Sequence, residues 1–533
     1  MASLAYRILR GAFRIALRVF FRRIEVAGLE RVPPSGPVIL AANHANALAD
    51  GLVLAAVLRR PLVLTARSIL ARNPMLRALF RAGNVIALHR VRDVEEGAEL
   101  RKNIEALAEA RARLERGAAL AIFPEGQSHS APRLRPFHTG AARLALQAEP
   151  GCRGPLEIVP AGLHYAEKDR FRSDVWVRFG EPIDVASWKA SHPEEGHRAL
   201  TAEIEGRVRR LTLNFETRRD SAVLGWAAEV LATRGLPPAP LGREERSLGE
   251  HVALVERLLA GYERLKRSRA EEIDALRDRV LAYRRELRRL GIAPREVYLP
   301  MDARRAARFV LREGAILLGA LPVSSVGIAL HLAPALAVRA VARRLSKKKD
   351  HWASNTILPG VAIFPLWYAV AIAAAWISLP PLWAAAATLL LPASGLAAVA
   401  YLDRAGGAFR RARTFLAFLF RPELRRRLAE EGSAIIAEIR ELGAALEGAP
   451  PRGPARAYPG AFRARLTSPL PPAGGAPRSG PRGGGRSGSR APSPACPPCR
   501  PVVGSIEAGR PQRRSPPPGG ETSSGTAVSP GMS

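Results

Sequence analysis

Cysteine is nearly missing from this chain, with three in 533 residues. Three thiols cannot build a disulfide framework, so the fold rests on an apolar core and the compartment reads as reducing. Cys152 stands alone, while Cys496 and Cys499 form a Cys-Pro-Pro-Cys without the βαβ context a redox motif needs. No Cys/His cluster has metal-ligand spacing, so no metal is expected. Acidic residues are also scarce, 48 against 81 Lys and Arg, giving a formal net charge of +33. Such an excess suits an anionic partner, either nucleic acid or an anionic membrane surface. No aromatic or Gly-rich RNA-binding motif interleaves with the arginines, so the expected partner is anionic lipid and not nucleic acid. Beyond about Gly448 large apolar residues almost vanish among Pro, Gly, Ser and Arg. A segment of that composition cannot bury enough surface to fold, so 448–533 is expected to be a disordered tail.

What remains is ample for two or three domains, since 47% of the chain is hydrophobic. Arg7, Arg10, Arg14, Arg18 and Arg22 recur every three or four residues opposite Tyr6, Ile8, Leu9, Phe13, Leu17, Val19 and Phe20. The pattern predicts an amphipathic helix within 1–30, lying in a membrane interface with its guanidinium groups among lipid phosphates. No uninterrupted apolar core precedes a small-residue cleavage site there, so it is not a signal peptide.

Residues 31–190 read as one α/β domain, a sheet covered by helices. Short apolar runs at 38–42, 62–66, 85–88, 119–123, 156–163 and 175–179 alternate with helical segments, the clearest over 95–116 and 137–149. Several of these runs end in polar residues that a core does not require. Asn43-His44 follows the first, with Asp50 a turn or two further on; an imidazole there can take a proton while the acid fixes its tautomer. Arg90 closes the run at 85–88, and its planar fork suits a phosphate. The run at 119–123 leads into Pro124-Glu125-Gly126-Gln127-Ser128-His129, where Gly126 lets backbone amides approach a ligand. Pro160 and Gly162 break the run at 156–163.

Taken in order and spacing, Asn43-His44 with Asp50, the Arg90 segment, Phe123-Pro-Glu-Gly126 and Val159-Pro-Ala-Gly162 resemble the four motifs of the PlsC-like glycerolipid acyltransferase family. Phe123 to His129, and Phe179-Gly-Glu-Pro-Ile183, look most like its glycerol-3-phosphate/dihydroxyacetone-phosphate acyltransferase branch. Five residues separate His44 from Asp50 where the commonest spacing is four; that branch shows the longer form, which points to small phosphorylated acceptors. Gly83 lies one residue farther from Arg90 than usual, leaving Arg67 and Arg92 as alternatives for the phosphate. The resemblance implies direct transfer of an acyl group from acyl-CoA or acyl-ACP, a co-substrate rather than a bound cofactor. His44, oriented by Asp50, would be the base. Asn43, Arg90, Glu125, Gly126 and Ser128 would bind the acceptor and its phosphate, with Pro160 and Gly162 on the acyl or thioester side. Neither Ser128 nor Cys152 sits in a nucleophile-elbow sequence, in keeping with a one-step route. Acylation of lysophosphatidate is the alternative within the family, and a non-catalytic lipid- or nucleic-acid-binding module the alternative outside it.

Beyond 190 the pattern turns helical. Over 191–312, Ile273, Leu276, Val280, Tyr283, Leu287 and Leu290 form a seam closed by Gly291 and Pro294. Within 313–447 the stretches 315–338, 357–379 and 381–402 are each long and apolar enough to cross a bilayer. The last two are expected as a transmembrane hairpin. The first, interrupted by Pro322 and Pro334, is expected to be re-entrant or interfacial, with a full span as the alternative. Basic loops at 339–349 and after 404 place the catalytic domain on the cytoplasmic side, with a bacterial inner membrane as the expected location.

Overall fold

A computed structural model describes residues 3–67, 74–88, 98–234, 247–298, 303–346 and 348–447. The chain opens with helix α1 (Leu4–Phe20), whose first turn is capped by Ser3 accepting from the Tyr6 N–H. Strand β1 (Phe21–Ala27) follows, then β2 (Val38–Ala42), α2 (Ala47–Val57), β3 (Leu62–Arg67), α3 (Pro74–Ala82), β4 (Val85–Leu88) and α4 (Ala98–Glu115). Next come β5 (Ala119–Ile122), α5 (Gly140–Ala148), β6 (Glu157–Tyr165), β7 (Ser173–Phe179), β8 (Ile183–Asp184), α6 (Val185–Ser191) and α7 (His197–Arg210). The strands order as β1-β7-β6-β2-β5-β3-β4, with β8 added to β6. All neighbours in that row are parallel except β6 and β7.

Both faces of this sheet are covered, and for that reason β2 is apolar at every position and buried throughout. On one face Val38, Leu40, Ala42, Val159 and Ala161 meet α1 and α2 together with Ala353 and Ile357 from far down the chain. On the other, Ile39, Ala41 and Ile158 meet α4, α5 and α7. Helix α2 is buried nearly all round, as its sequence, apolar but for Asp50 and Gly51, requires.

Two boundaries move. The sheet starts at Phe21, not after 30, because β1 pairs with β7 and the Arg22 and Arg23 guanidinium groups clasp Asp174 at 2.7–2.9 Å. It ends later than 190, because Leu200, Ile204 and Val208 of α7 complete its second core. The amino-terminal helix is also more than a membrane-surface element. Arg10 donates to the Ala55 and Leu58 carbonyls and Arg14 to the Ala56 carbonyl, so two members of the arginine stripe satisfy the open carboxyl end of α2. Phe13, Leu17 and Phe20 are buried in the first core, and the outer face carries Leu4, Ile8 and Ile15 beside Arg7 and Arg18.

After α8 (Arg218–Arg234), helices α9 (Leu248–Ser268) and α10 (Ala270–Leu290) form the expected seam. Ile273, Leu276, Val280, Tyr283 and Leu287 are all buried, and Gly291 ends α10 in the left-handed conformation. Short α11 (Pro294–Val297) leads to α12 (Ala303–Leu345), α13 (Trp352–Ser378), α14 (Pro381–Phe420) and α15 (Pro422–Glu447). Three of these helices are long and apolar enough to cross a membrane. Helix α12 runs unbroken through Pro322 and Pro334, with no loop at which a helix could turn back. It packs antiparallel to α14, with Arg404 forking onto buried Glu313 at 2.8 and 3.1 Å and Gly327 against the Ser394 carbonyl. The 448–533 tail lies outside the described residues.

Candidate active site

Three adjacent strands, β6, β2 and β5, run parallel and deliver their carboxyl ends side by side. Sites on such sheets form where strands end and the chain turns into helices. Asn43 steps off β2 and ties itself to β6 in both directions: its Nδ2 donates to the Leu163 carbonyl at 3.1 Å and its Oδ1 accepts from the Leu163 N–H at 2.7 Å. It is therefore a fixed strut beside His44.

His44 Nδ1–H donates to Asp50 Oδ2 at 2.9 Å, and Nε2 has no hydrogen-bond partner among the described residues. The ring stacks on Phe123, 4.4 Å between centroids, and is 19% exposed. Asp50 is fully buried and takes two further donors, the Asn46 N–H at 2.7 Å and the Tyr165 hydroxyl at 2.6 Å. Burial and the neighbouring Asp50 charge push the Tyr165 phenol well above its ordinary range, so it stays a donor. The six-residue step from His44 to Asp50 closes through Ala47, held at φ 45°, a left-handed conformation unusual for alanine.

Glu125 is buried and acts mainly inside the protein. Its Oε1 accepts the His44 main-chain N–H at 2.7 Å, while Oε2 accepts the Arg135 N–H at 2.9 Å and the His129 ring. Burial raises its carboxyl, but the hydrogen bonds from His129, Arg135 and His44 outweigh that and hold it below the ordinary value. His129 in turn donates its N–H to the His44 carbonyl at 3.1 Å. The Phe123–His129 loop thus grips the main chain of His44 on both sides.

Gly126 sits at φ 70°, and a Cβ there would come within 2.9 Å of the His138 ring. Its amide donates to the Phe123 carbonyl at 3.0 Å, so the glycine serves the tight turn as well as any ligand approach. Ser128 Oγ donates to Asp350 Oδ2 at 2.8 Å. Gly162 is needed for packing, because a Cβ would meet the Leu211 carbonyl at 2.4 Å; Pro160 lies against Gly180 beside the same leucine. Both positions lie on the face of β6 opposite to that of Tyr165, whose hydroxyl reaches Asp50. Arg90 and Arg92 lie outside the described residues, and of the Arg67 side chain nothing is described. The end of β4, which precedes Arg90, is three strands from β2, about 14 Å at the usual strand spacing.

Sequence reasoning missed Tyr165, His129, Lys168, Asp350 and Ser354. Lys168 Nζ donates to the Ala45 and His129 carbonyls, both at 3.0 Å, and burial lowers its ammonium against the pull of Asp350 and Asp50. None of the five carries a spacing signal toward His44. Among the described residues no group of three or more His, Cys, Asp or Glu side chains is arranged to hold a metal ion.

A buried carboxylate holding one nitrogen of an imidazole, with a loop clamping the main chain of that histidine, is an arrangement suited to general-base chemistry; residues 23–164 match the acyltransferase family. Residues 239–446 match the glycerol-3-phosphate acyltransferase 2 C-terminal domain. An uncharacterized acyltransferase of Schizosaccharomyces pombe is 28% identical over 281 residues, 49% of this chain and 40% of its own. Glycerol-3-phosphate O-acyltransferase 2 of Saccharomyces cerevisiae is 29% identical over 180 residues, 33% of this chain and 23% of its own. The 1-acyl-sn-glycerol-3-phosphate acyltransferase of Borreliella burgdorferi is 28% identical over 145 residues, 27% of this chain and 54% of its own. The chain thus spans between about a quarter and a half of these relatives. A solved 1-acyl-sn-glycerophosphate acyltransferase from Thermotoga maritima aligns at 21% identity and TM-score 0.30, over 40% of this chain and 83% of its own.

Proposed function

We propose that the protein is a membrane-bound O-acyltransferase that moves a fatty acyl group from a thioester, acyl-CoA or acyl-ACP, to the hydroxyl of glycerol 3-phosphate or dihydroxyacetone phosphate. The observation that carries this reading is the His44 imidazole, whose Nδ1 is held by a fully buried, triply bonded Asp50 and whose Nε2 has no partner among the described residues.

In this reaction His44 Nε2 takes the proton of the acceptor hydroxyl as the oxygen bonds to the thioester carbonyl carbon. Asp50 stabilises the imidazolium and keeps its tautomer. The carbon–sulfur bond then breaks, and the thiolate leaves with the proton carried by His44. A thiolate is a good leaving group, so no acyl-enzyme is needed. Arg90, with Arg67 and Arg92 as alternatives, is proposed for the acceptor phosphate.

Glycerol 3-phosphate is preferred over lysophosphatidate because the match to the C-terminal domain of a glycerol-3-phosphate acyltransferase extends over 239–446, beyond the catalytic sheet. Attachment through α12, α13 and α14 is supported by their length, their hydropathy and the outward leucines and isoleucines such as Leu318, Ile377 and Leu389. A cytoplasmic-facing site, anionic lipids around the basic loops, and a bacterial inner membrane complete the proposal. The test is an acceptor panel on purified protein with acyl-CoA and acyl-ACP. Turnover of glycerol 3-phosphate or dihydroxyacetone phosphate supports the reading; turnover of lysophosphatidate alone replaces it with the second family activity, and no turnover with any acceptor overturns it.

A further inference from the structure

The segment that leads into α13 reaches back across some three hundred residues to the turn between His44 and Asp50. Ala49 stands at the third position of α2, and its N–H is one of the groups a helix start leaves open. Asn46, the residue placed to cap it, makes no side-chain cap bond; its Nδ2 is turned to the Lys168 carbonyl at 3.2 Å, and its Oδ1 is buried without a partner. The Ala49 N–H instead donates to Ser354 Oγ at 3.0 Å, sharing that hydrogen with the Asn46 carbonyl, also at 3.0 Å. Ser354 Oγ lies 3.4 Å from the same Asn46 carbonyl, and Ser354 is 4% exposed. A serine of α13 thus caps the helix that carries Asp50.

Four residues earlier, Asp350 is 3% exposed and accepts from Ser128 Oγ at 2.8 Å. Ser128 belongs to the loop whose Glu125 and His129 grip the main chain of His44. One short segment therefore touches both members of the proton-transfer pair, through α2 on the Asp50 side and through the Phe123–His129 loop on the His44 side. Between them lies Ala47 in its left-handed conformation, and such strain persists only where surrounding contacts hold it.

We infer that Asp350 and Ser354 are positioning residues for the His44–Asp50 pair, so that the acyltransferase site is complete only when the base of α13 is docked on it. This rests on the acyl-transfer reading. It means that the membrane region is part of the catalytic unit as well as its anchor.

The experiment uses the full chain in lipid nanodiscs and compares Ser354→Ala, Ser354→Thr and Asp350→Asn with the unaltered protein. Steady-state acyl transfer is measured together with the rate at which diethyl pyrocarbonate acylates His44, followed by peptide mass spectrometry. Ser354→Ala and Asp350→Asn are expected to lower kcat by about ten- to a hundredfold with KM changed less than about twofold, since small misplacements cost that much. Ser354→Thr, which keeps the hydroxyl, is expected to retain most of kcat. His44 modification is expected to speed up in the two damaging variants and not in Ser354→Thr. Unchanged kcat and unchanged His44 modification overturn the inference. If the unaltered chain transfers no acyl group, the functional reading fails by itself, and the His44 modification rates still decide whether the segment positions the pair.

Discussion

Glu125 Oε1 and the main-chain N–H of His44 are joined at 2.7 Å, and this bond sets the base against its acid. Because Oε2 is committed to the Arg135 N–H and the His129 ring, the carboxylate is enclosed by donors and has no donor of its own to offer.

Glu125→Gln places an amide N–H against one of those donors. Buried hydrogen bonds to a charged group are worth about 1.5–3 kcal/mol each, so the variant is expected to lose roughly 2–4 kcal/mol of stability. Its acyl transfer should fall about a hundredfold, as displacement of a base typically costs. Thermal unfolding and steady-state kinetics on the same preparation check both.

Tyr165→Phe removes one of three donors to a fully buried Asp50. Leaving a buried carboxylate oxygen unpaired costs about 1–3 kcal/mol. Stability should drop by that amount and kcat by about tenfold, with KM for the acceptor unchanged, because the hydroxyl is committed to Asp50. A raised KM at unaltered kcat would instead put the phenol in contact with the acceptor.

Helix α1 is held by the fold as well as facing outward. Leu17 is fully buried, and Leu17→Ala should cost about 2–5 kcal/mol in detergent, where no bilayer contributes. A helix bound to lipid alone would show no loss there. Chemical denaturation of detergent-solubilised protein distinguishes the two.

His164 is buried and donates Nε2–H to the Leu211 carbonyl at 2.8 Å. Burial lowers its pKa from 6.5 to about 4, helped by Arg178 and opposed by the Leu211 bond. The unfolded chain therefore binds a proton the folded one refuses, and stability contributed above pH 6.5 is lost as pH falls toward 4, by roughly 3 kcal/mol in all. The unfolding midpoint of the unaltered chain should fall more steeply between pH 6.5 and 4.5 than that of His164→Gln, which keeps an N–H donor and does not titrate. Parallel slopes would contradict this.

Much of this architecture is legible in the residues. The strands at 38–42, 85–88 and 119–122 announce themselves as apolar runs, and the His44–Asp50 pair by chemistry at a strand end. The seam through Ile273 and Val280 is visible from its three-four spacing. What escaped depends on partners far along the chain. Strand β1 carries Arg22, Arg23 and Glu25, so its alternation is masked until Asp174 on β7 supplies the counter-charge. The arginine stripe of α1 has the same period whether it meets lipid phosphates or the carbonyls of Ala55, Ala56 and Leu58. Gly162 reads only as a break in its strand, because nothing in that strand tells of the Leu211 carbonyl. Ser354 and Asp350 sit at the head of an apolar helix, and only the fold brings them to α2 and Ser128.

The central claim is that His44 is the base of an acyl transfer. The most direct measurement is transfer of a labelled acyl group from acyl-CoA to glycerol 3-phosphate by the unaltered chain and by His44→Ala, each with an unfolding curve. The account predicts a loss of about 10²–10⁴-fold with the unfolding midpoint nearly unchanged. Activity within about tenfold of the unaltered protein, in a folded variant, would contradict it.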